Sequence, residues 1–385
     1  MADPINLKTN QIRVGIFSYD YIPWEGGMGR CVWELKRHMD IDSNSNVESI
    51  IFSPCSNNLT NHHRIFKISK FLGKNLLFSF FLNIFICGII KKYNLDIVHI
   101  HGGAGGILLF RRIPLPVIIT AHTNNYLFQY RHLKILSKKL LYRFEKRSFD
   151  LADSITVVSS YIRSNLIRDY GVSDAKIHVI SNGVAHEVFH PIRVESPLPS
   201  HIILYAGRID KRKGIVFLIE AMAEVFQQRP DVCLWIAGSG GRYMHKVETL
   251  IRQKSMNKYI RFLGFQNSQQ LNKLYNMASV CVLPSVIEGF GLTILEAMAC
   301  GCPVIASDSG GAIDIIRHGE NGYLVTYGDT SQLAALILQL IEDETLRSRF
   351  ETQGKTTAIT RFTWKKMARN YIRLYESLSG MKSKI

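Results

Sequence analysis

Two series of short apolar runs alternate with amphipathic stretches along this sequence, and this pattern constrains the fold more than any other feature. Runs of this length between turn residues are typical of buried parallel strands, and the stretches between them are long enough for helices. Alternating strands and helices build doubly wound α/β sheets, so two series predict two such domains. The first series has runs at 12–18, 96–100, 116–120, 154–158 and 177–180, and the second has runs at 201–206, 232–237, 260–263, 280–283 and 303–306.

A proline-rich segment separates the two series. Residues 190–200 carry three prolines among mixed polar residues, which interrupt the periodicity. A chain of 385 residues is long enough for two hydrophobic cores. We therefore expect a first domain over residues 11–192 and a second over residues 193–363.

The cysteines and the N-terminus favour a cytoplasmic location. None of the seven cysteines forms a C-x-x-C pair, and several lie inside apolar runs, where reduced cysteine is typical of a small core residue. The first ten residues lack the charged and apolar regions of a signal peptide.

The net charge of +16 is concentrated in one part of the chain. Residues 61–147, the basic window, hold fifteen Lys or Arg against two acids, Asp96 and Glu145, and so account for +13 of the total. Such a surface attracts anions, and charge alone does not distinguish nucleic acid, acidic lipid and a phosphorylated substrate.

The loop after the run 280–283 places two carboxylates around the start of a predicted helix. Ligands of open α/β sheets bind beyond the carboxyl ends of the strands. Glu288 lies in this loop, and Glu296 lies about one turn inside a helix that we expect to begin near Leu292. The N–H groups of Gly291, Leu292 and Thr293 would then be available to an anion. The layout indicates a ligand with hydroxyls at both ends of a diphosphate, such as a nucleotide sugar, although isolated acids at this spacing are more often solvated.

Two further loops could contact phosphate. The loop after 201–206 carries Arg208 and Lys213, whose charges could offset a diphosphate, although a charged loop is equally typical of a solvated surface. Gly26 and Gly27 precede a helical stretch after the first run. This turn matches neither the G-x-G-x-x-G nor the P-loop pattern, so it is weak evidence for a phosphate or sugar contact.

Histidines follow two of the predicted strands. His122 comes directly after the run 116–120 and could donate to a sugar hydroxyl, accept a proton or stabilise nearby positive charge. His101 holds the equivalent place after the run 96–100. One of the two could be structural, and we favour His122 as the functional residue.

Together these motifs resemble the retaining GT-B glycosyltransferases of family 4, also called glycosyl transferases group 1, from Ile12 to about Leu374. Each motif is common alone, and the combination is specific. The motifs are "GGMGRCVWELKRHM", "DIVHIHG", "TAHT", "VVSSYIRSNL", "SNGV", "GRIDKRKG", "RFLGF", "LPSVIEGFGLTILEAMACGCPVIASDSGG" and "NGYLV".

The resemblance implies an α/β protein of GT-B architecture, with two doubly wound Rossmann-like domains facing an interdomain cleft. It implies a hexosyltransferase that moves a sugar from a nucleotide-diphosphate donor to a hydroxyl acceptor with retention. A UDP-sugar is the favoured donor and GDP-mannose the alternative. The first domain would bind the acceptor, the second would bind the nucleotide sugar, and a helix at about 364–380 would pack back on the first.

By the same resemblance, Glu296 would bind the ribose hydroxyls, Arg208 and Lys213 the diphosphate, and Glu288 the donor sugar. The implied catalytic residues are His122, Glu288, Arg208 and Lys213. The implied donor-binding residues are Gly26, Gly27, Arg208, Lys213, Gly264, Phe265, Glu288, Gly289, Phe290, Gly291, Leu292, Thr293 and Glu296, and the acceptor-side residues are His101, Asn124 and Arg131.

We expect no metal and no other cofactor. Asp40 and Asp42 resemble the DxD motif of metal-dependent transferases, but they lie at a predicted helix end, and the cations named above already supply positive charge. Asp20 and Glu25 are the carboxylates nearest to the place of a double-displacement nucleophile, and neither is convincing. We therefore favour same-face attack, in which the departing phosphate oxygen accepts the proton.

Two stretches of the basic window favour a membrane surface. Residues 75–90 are apolar, but sixteen residues fall short of the ~20 that span a bilayer. Residues 131–147 place apolar side chains at helical spacing among basic ones, as in an interfacial helix, although a core-packed helix has the same pattern. We expect a lipid-linked or otherwise anionic cell-envelope acceptor, an anionic membrane surface as partner, and a peripheral position on the inner face of the cell membrane.

Two other functions share part of this pattern. A nucleotide-sugar 2-epimerase has the same architecture and would release a free epimer without acceptor. A noncatalytic nucleic-acid-binding protein would explain the basic window, but the sequence has no RNP, KH or zinc pattern, so we do not expect nucleic acid as a partner.

Overall fold

The computed structural model describes residues 11–21, 27–43, 45–54, 61–65, 74–102, 107–123, 135–194, 201–241 and 243–380. It divides into two compact units. Unit 1 comprises Met1–Ser181 with Trp364–Ile385, and unit 2 comprises Asn182–Thr363.

Unit 1 contains a seven-stranded parallel sheet with the strand order β3-β2-β1-β4-β5-β6-β7. Its strands are β1 (Ile12–Phe17), β2 (Val47–Ser53), β3 (His62–Arg64), β4 (Ile97–Gly102), β5 (Val117–Ala121), β6 (Ser154–Val157) and β7 (Ile177–Val179). Its helices are α1 (Gly27–Ile41), α2 (Lys74–Tyr93), α3 (Ile135–Leu151), α4 (Ser160–Tyr170) and the C-terminal α12 (Trp364–Ser379).

Unit 2 contains a six-stranded parallel sheet with the order β10-β9-β8-β11-β12-β13. Its strands are β8 (His201–Ala206), β9 (Val232–Ala237), β10 (Ile260–Gly264), β11 (Val280–Leu283), β12 (Val304–Ser307) and β13 (Tyr323–Val325). Its helices are α5 (Ile215–Gln228), α6 (Tyr243–Gln253), α7 (Ser268–Met277), α8 (Leu292–Ala299), α9 (Ala312–Ile315), α10 (Thr330–Glu342) and α11 (Glu344–Arg361).

Both sheets are apolar in their central strands because helices cover the two faces. Every residue of β4, β5, β11 and β12 is buried, which explains why these strands are rich in apolar residues, with His99 and His101 as the polar exceptions in β4. The prediction missed β2, β3 and β13, which are either interrupted by polar residues, as in VESIIFS, or only three residues long. The predicted pair of doubly wound α/β domains is confirmed.

The unit boundary lies after residue 181 rather than after the predicted residue 192. The segment that follows is bound to α7 of unit 2. The N–H groups of His190 and Ile192 donate to Asn272 Oδ1 and Asn276 Oδ1, over 3.1 and 2.8 Å. The change in composition therefore marks a point beyond the true boundary.

The C-terminal helix α12 belongs to unit 1. It packs against α1, where Cys31 Sγ lies 3.9 Å from Met367 Sδ. Its buried tyrosines, Tyr371 and Tyr375, contact the central strands of unit 1, so α12 is part of the first hydrophobic core.

Each sheet reverses its strand order once, at β1/β4 in unit 1 and at β8/β11 in unit 2. At such a reversal the loops after the two neighbouring strands diverge and leave a crevice for a ligand. The loop after β8 carries Arg208 and Lys213, and the loop after β11 carries Glu288. Sheet topology therefore brings together candidate residues that lie about eighty positions apart in the sequence.

Candidate active site

Lys213 and Glu288 form an ion pair at the strand reversal of unit 2. Lys213 Nζ donates to Glu288 Oε2 over 2.5 Å, and both side chains are about one-quarter exposed. Ser285 Oγ lies 3.4 Å from the same carboxylate oxygen. The pair is therefore held in place before any ligand arrives, and it remains accessible to one.

Glycine allows the loops of this site to approach backbone to backbone. Gly214 has φ +68°, and a Cβ there would lie 1.7 Å from the carbonyl oxygen of Pro284. Gly310 has φ +64°, and a Cβ there would lie 1.8 Å from the carbonyl oxygen of Glu288. Because neither position has room for a side chain, these two glycines fix the place of the Glu288 loop.

Asp210 organises the cationic loop after β8. Its Oδ1 accepts from the N–H groups of Arg212 and Lys213, over 2.8 and 3.1 Å, and so caps the single 3-10 turn Lys211–Lys213. Tyr205 is buried, and its hydroxyl donates to the carbonyl oxygen of Arg208 over 2.7 Å. The Arg208 side chain is 68% exposed and lies 3.9 Å from Asp210, so its guanidinium is available to an anion.

Helix α8 begins at Leu292, as predicted, and presents a helix N-terminus to the same crevice. Gly291 stands before it with φ +109°, and no side chain caps the helix. Among the residues that the structure describes, no acceptor takes the N–H groups of Leu292 and Thr293. Free amides and the helix dipole together form an anion site.

A small cavity lies beside these amides and Glu288. Ser307 at its wall is 2% exposed, and its Oγ has no hydrogen-bond partner among the described residues. Ser307 was not predicted, because a serine at the end of an apolar strand gives no signal in the sequence. The lining residues are Leu283, Ser285, Glu288, Gly291, Thr293, Ile294, Ala306, Ser307, Ser309 and Ala312.

Glu296 lies one turn inside α8 and is largely buried. Tyr275 donates its hydroxyl to Glu296 Oε2 over 3.4 Å. Burial, and secondarily the charge of Glu296, raise the pKa of the thiols of Cys281 and Cys300, so these thiols stay protonated.

Three other predicted donor-binding positions lie in loops that follow strands of unit 2 or at the end of a strand. Gly264 ends β10 with φ +70°, and its carbonyl oxygen accepts from the N–H of Gly238 over 2.7 Å. Phe265 is 78% exposed and offers a free aromatic face. The ring of Phe290 is buried against Phe362, with centroids 6.0 Å apart, so only its backbone is available to a ligand.

In unit 1, His122 follows β5 and is partly exposed, whereas His101 is the last residue but one of β4 and is fully buried. His101 Nδ1 lies 2.8 Å from His122 Nε2. The ring of His101 is fully buried and contacts His122, and its predicted place on the acceptor side stays a prediction. Burial lowers the pKa of His122 to about 4, so its imidazole is neutral near pH 7.

Gly27 and Asp20 lie at the start of α1, and the predicted contact of Gly27 with the donor stays a prediction. Gly27 begins α1, and Asp20 accepts from the N–H of Gly29 over 3.0 Å, so Asp20 binds the start of a helix. Gly26, Glu25, Asn124 and Arg131 lie outside the described residues.

The DxD-like pair at the end of α1 is engaged by cations of the protein. Asp40 pairs with Lys36, and Asp42 lies 3.9 Å from Arg369. Within the described ranges, no group of three or more His, Cys, Asp or Glu side chains is arranged to hold a metal ion.

Comparison with known proteins identifies the family. The model described as Glycosyltransferase Family 4 matches residues 25–188, and the model described as Glycosyl transferases group 1 matches residues 190–357. An uncharacterized glycosyltransferase of Methanocaldococcus jannaschii is 30% identical over 324 residues, which cover 82% of this chain and 85% of that protein. The chain belongs to glycosyltransferase family 4.

Solved structures share the fold of this glycosyltransferase. Sucrose-phosphate synthase from Thermosynechococcus elongatus has a TM-score of 0.78 at 22% identity and covers 96% of this chain and 100% of its own. HepE of Anabaena, solved with UDP-glucose, has a TM-score of 0.72 at 19% identity and covers 95% of this chain and 100% of its own. The predicted GT-B fold and hexosyltransferase class are confirmed.

Proposed function

We propose that this glycosyltransferase moves a sugar, with retention, from a nucleotide-diphosphate donor to a hydroxyl of a lipid-linked or otherwise anionic acceptor. The observation that carries the proposal is the Lys213–Glu288 pair beside the free N-terminus of α8. A carboxylate that binds sugar hydroxyls, a cation and free amides are the groups that a diphosphate sugar requires. HepE binds UDP-glucose on the same fold, which favours a UDP-sugar as the first donor to test and GDP-mannose as the second.

The cations act mainly on the departing diphosphate. Negative charge on the leaving oxygen grows as the glycosidic bond breaks, so groups that stabilise this charge lower the barrier. Lys213 is positioned in advance by Glu288, and Arg208 has an exposed guanidinium with little constraint. We propose that these two residues replace a metal ion, so that transfer continues in the presence of EDTA.

Retention is best explained by attack on the same face of the sugar. A double-displacement mechanism requires a free carboxylate nucleophile, and Asp20 instead caps α1 through the N–H of Gly29. In same-face attack the departing phosphate oxygen accepts the proton of the incoming hydroxyl, so no additional base is needed.

A donor panel with product analysis tests this function. Thermal shifts with UDP-, GDP- and ADP-sugars should show one preferred nucleotide, because a ligand at a hundred times its Kd adds about 2.7 kcal/mol to stability. The preferred donor should be consumed slowly by hydrolysis until an acceptor is supplied. Release of a free epimer without acceptor would indicate a 2-epimerase, and no shift with any nucleotide sugar would refute donor binding.

The acceptor side of the proposal rests on α2. This helix extends over 20 residues, longer than the predicted sixteen, and by length and composition its segment Leu76–Tyr93 could cross a membrane. It is the one such helix in the described part of the chain, and 39% of the segment is buried inside the protein.

Polar side chains fix the inner face of α2 to unit 1. Asn83 Nδ2 donates to the carbonyl oxygen of Leu108 over 2.8 Å, and Asn83 Oδ1 accepts from the N–H of Phe110 over 2.7 Å. Ser79 Oγ accepts from the N–H of Leu108 over 2.8 Å. Because a spanning helix would break these buried bonds, we propose that α2 lies on a membrane rather than across it.

The outer face of α2 is apolar and is flanked by cations. Leu76, Leu77, Phe80, Ile84 and Phe85 are each 44–55% exposed and recur at helical spacing. The exposed cations nearby in sequence or structure are Lys91, Lys92, Arg111, Arg112, Lys139, Arg143 and Arg147. Each basic residue near an anionic surface contributes about 1 kcal/mol, so the charges favour anionic lipid.

Helix α3 contributes to this surface only in part. The structure describes it over Ile135–Leu151, and Arg131 and Lys134 lie outside the described residues. Leu140 is exposed, whereas Phe144 packs against Phe110 with ring centroids 5.2 Å apart. The predicted apolar stripe is thus divided between the surface and the interior.

Co-sedimentation with liposomes tests the membrane contact. We expect binding to anionic vesicles that declines with salt, weak binding to neutral vesicles, and a clear loss in the double variant Phe80→Ser with Ile84→Ser. Ile359→Ser in α11, which removes an exposed apolar side chain from unit 2, is the matched control. Equal and negligible pelleting with both lipids at low salt would instead favour a soluble acceptor.

A further inference from the structure

The hydrogen bond between His101 and His122 joins two neutral imidazoles. The rings are stacked, with centroids 5.1 Å apart, and the two nitrogens lie 2.8 Å apart. Burial lowers the pKa of His101 well below its usual value and that of His122 to about 4. Since each neutral ring has one N–H and one lone pair, one ring must donate and the other must accept.

The surroundings of His101 indicate which ring donates. His101 Nε2 is buried and has no hydrogen-bond partner among the described residues. If His122 donated, the proton of His101 would lie on this nitrogen and would be a buried donor without an acceptor. If His101 Nδ1 donates, only a lone pair remains unpaired, which native proteins tolerate more often than an orphaned N–H.

We propose that His101 is a positioning residue that holds His122 in the tautomer with its proton on Nδ1. His122 Nε2 is then occupied as an acceptor, and Nδ1–H, which has no partner within the described ranges, can donate to a substrate hydroxyl oxygen. His122 therefore acts as a neutral hydrogen-bond donor rather than as a proton-accepting base. The inference rests on the proposed function and on the predicted role of His122 as a catalytic residue.

The strands keep this pair in register. His101 of β4 pairs with Thr120 of β5, and His122 comes two residues after Thr120. The two histidines therefore lie side by side at the carboxyl ends of neighbouring parallel strands. Behind them, the His99 ring lies 4.4 Å from His101, and its nitrogens contact Tyr375 Oη at 2.7 Å and Thr120 Oγ1 at 2.6 Å. The His101 ring thus packs against His99, which is itself held by α12 through Tyr375. His101 therefore has little freedom to turn away from His122.

Histidine NMR on the intact enzyme tests the tautomer directly. Ring ¹³C and ¹⁵N shifts distinguish a proton on Nδ1 from one on Nε2, and the His122→Asn spectrum identifies the His122 signals by subtraction. We expect His122 with its proton on Nδ1 near pH 7. A proton on Nε2 would overturn the proposal, whatever the activity of any variant.

Kinetics of matched variants test the consequence. His101→Leu should lower kcat roughly tenfold, as the loss of one oriented hydrogen bond would, while leaving the donor KM and nucleotide binding within about twofold. His101→Asn, whose amide can donate from the same place, should recover most of the rate. The exposed His178→Leu on β7 is the matched control and should behave as wild type.

The outcomes separate the two proposals. Wild-type kcat in His101→Leu would overturn the positioning role. If His122→Asn transfers sugar at the wild-type rate, His122 has no role in the reaction. The tautomer measured by NMR would still hold for the His101–His122 pair. If His101→Leu does not fold, the wild-type NMR spectrum and the His101→Asn rate still decide the question.

Discussion

Acidification from pH 7 to 5.5 should destabilise unit 1 through its buried histidines. Burial lowers the pKa of His99 to about 3 and that of His101 well below its usual value. Below the ordinary pKa of about 6.5, the unfolded chain binds protons that the folded chain excludes, so stability falls as pH falls. The loss begins near pH 6.5 and continues to about pH 3 for His99.

The size of this effect follows from proton linkage. Each histidine that stays neutral in the folded state lowers the free energy of unfolding by about 1.4 kcal/mol for each pH unit well below pH 6.5. Between pH 7 and 5.5 this amounts to about 1.3 kcal/mol for each such histidine. His99 therefore accounts for about 1.3 kcal/mol, and His101, whose pKa burial lowers well below its usual value, adds to this loss. His122, whose pKa burial lowers to about 4, also stays neutral over this range and adds to the loss.

Urea unfolding at the two pH values, read by hydrogen exchange in β4 and β5, measures this loss for unit 1 alone. The free energy of unfolding differs between pH 7 and 5.5, and this difference should be about 1.3 kcal/mol smaller in His99→Gln, whatever that substitution does to absolute stability. His178→Asn removes an exposed histidine and should keep the wild-type difference. An unchanged difference in His99→Gln would refute the conclusion that burial keeps His99 neutral.

Three further predictions concern the donor site of unit 2. Lys213→Met should lower kcat for sugar transfer roughly a hundredfold, because it removes a group that stabilises negative charge in the transition state. Lys211→Met, which replaces an exposed lysine of the same turn, is the control and should have little effect on kcat. Glu296→Gln should weaken nucleotide binding by calorimetry roughly tenfold or more, because hydrogen bonds to a charged acceptor are the stronger ones, and an unchanged Kd would argue against a ribose contact. Gly310→Ala should lower both stability and donor affinity, because its Cβ would collide with backbone at 1.8 Å. Gly319→Ala is the control for Gly310→Ala, because Gly319 also has a positive φ, +79°, but has open space around it. In thermal unfolding it should lower stability only by the backbone strain, about 1–2 kcal/mol.

The apolar periodicity of the sequence determined most of the fold. Strands such as β5 and β11 are buried on both faces, so every residue in them is apolar or small and the pattern is visible without the structure. The prediction missed the short strands β3 and β13. The sequence of β3, HHR, has no apolar run, and each of these strands pairs with one neighbour at an edge of its sheet.

The sequence also supplied the chemical groups of the candidate site, because Arg208, Lys213, Glu288 and Glu296 lie in motifs whose residue types indicate a diphosphate sugar. Only the tertiary structure paired Lys213 with Glu288, since their 75-residue separation is closed by the β8/β11 strand order.

The structure alone showed that His101 is buried against His122 and which face of α2 is exposed. The physical reason is that a local pattern encodes secondary structure and residue chemistry. Burial, hydrogen-bond partners and ionisation depend on neighbours that distant segments of the chain provide.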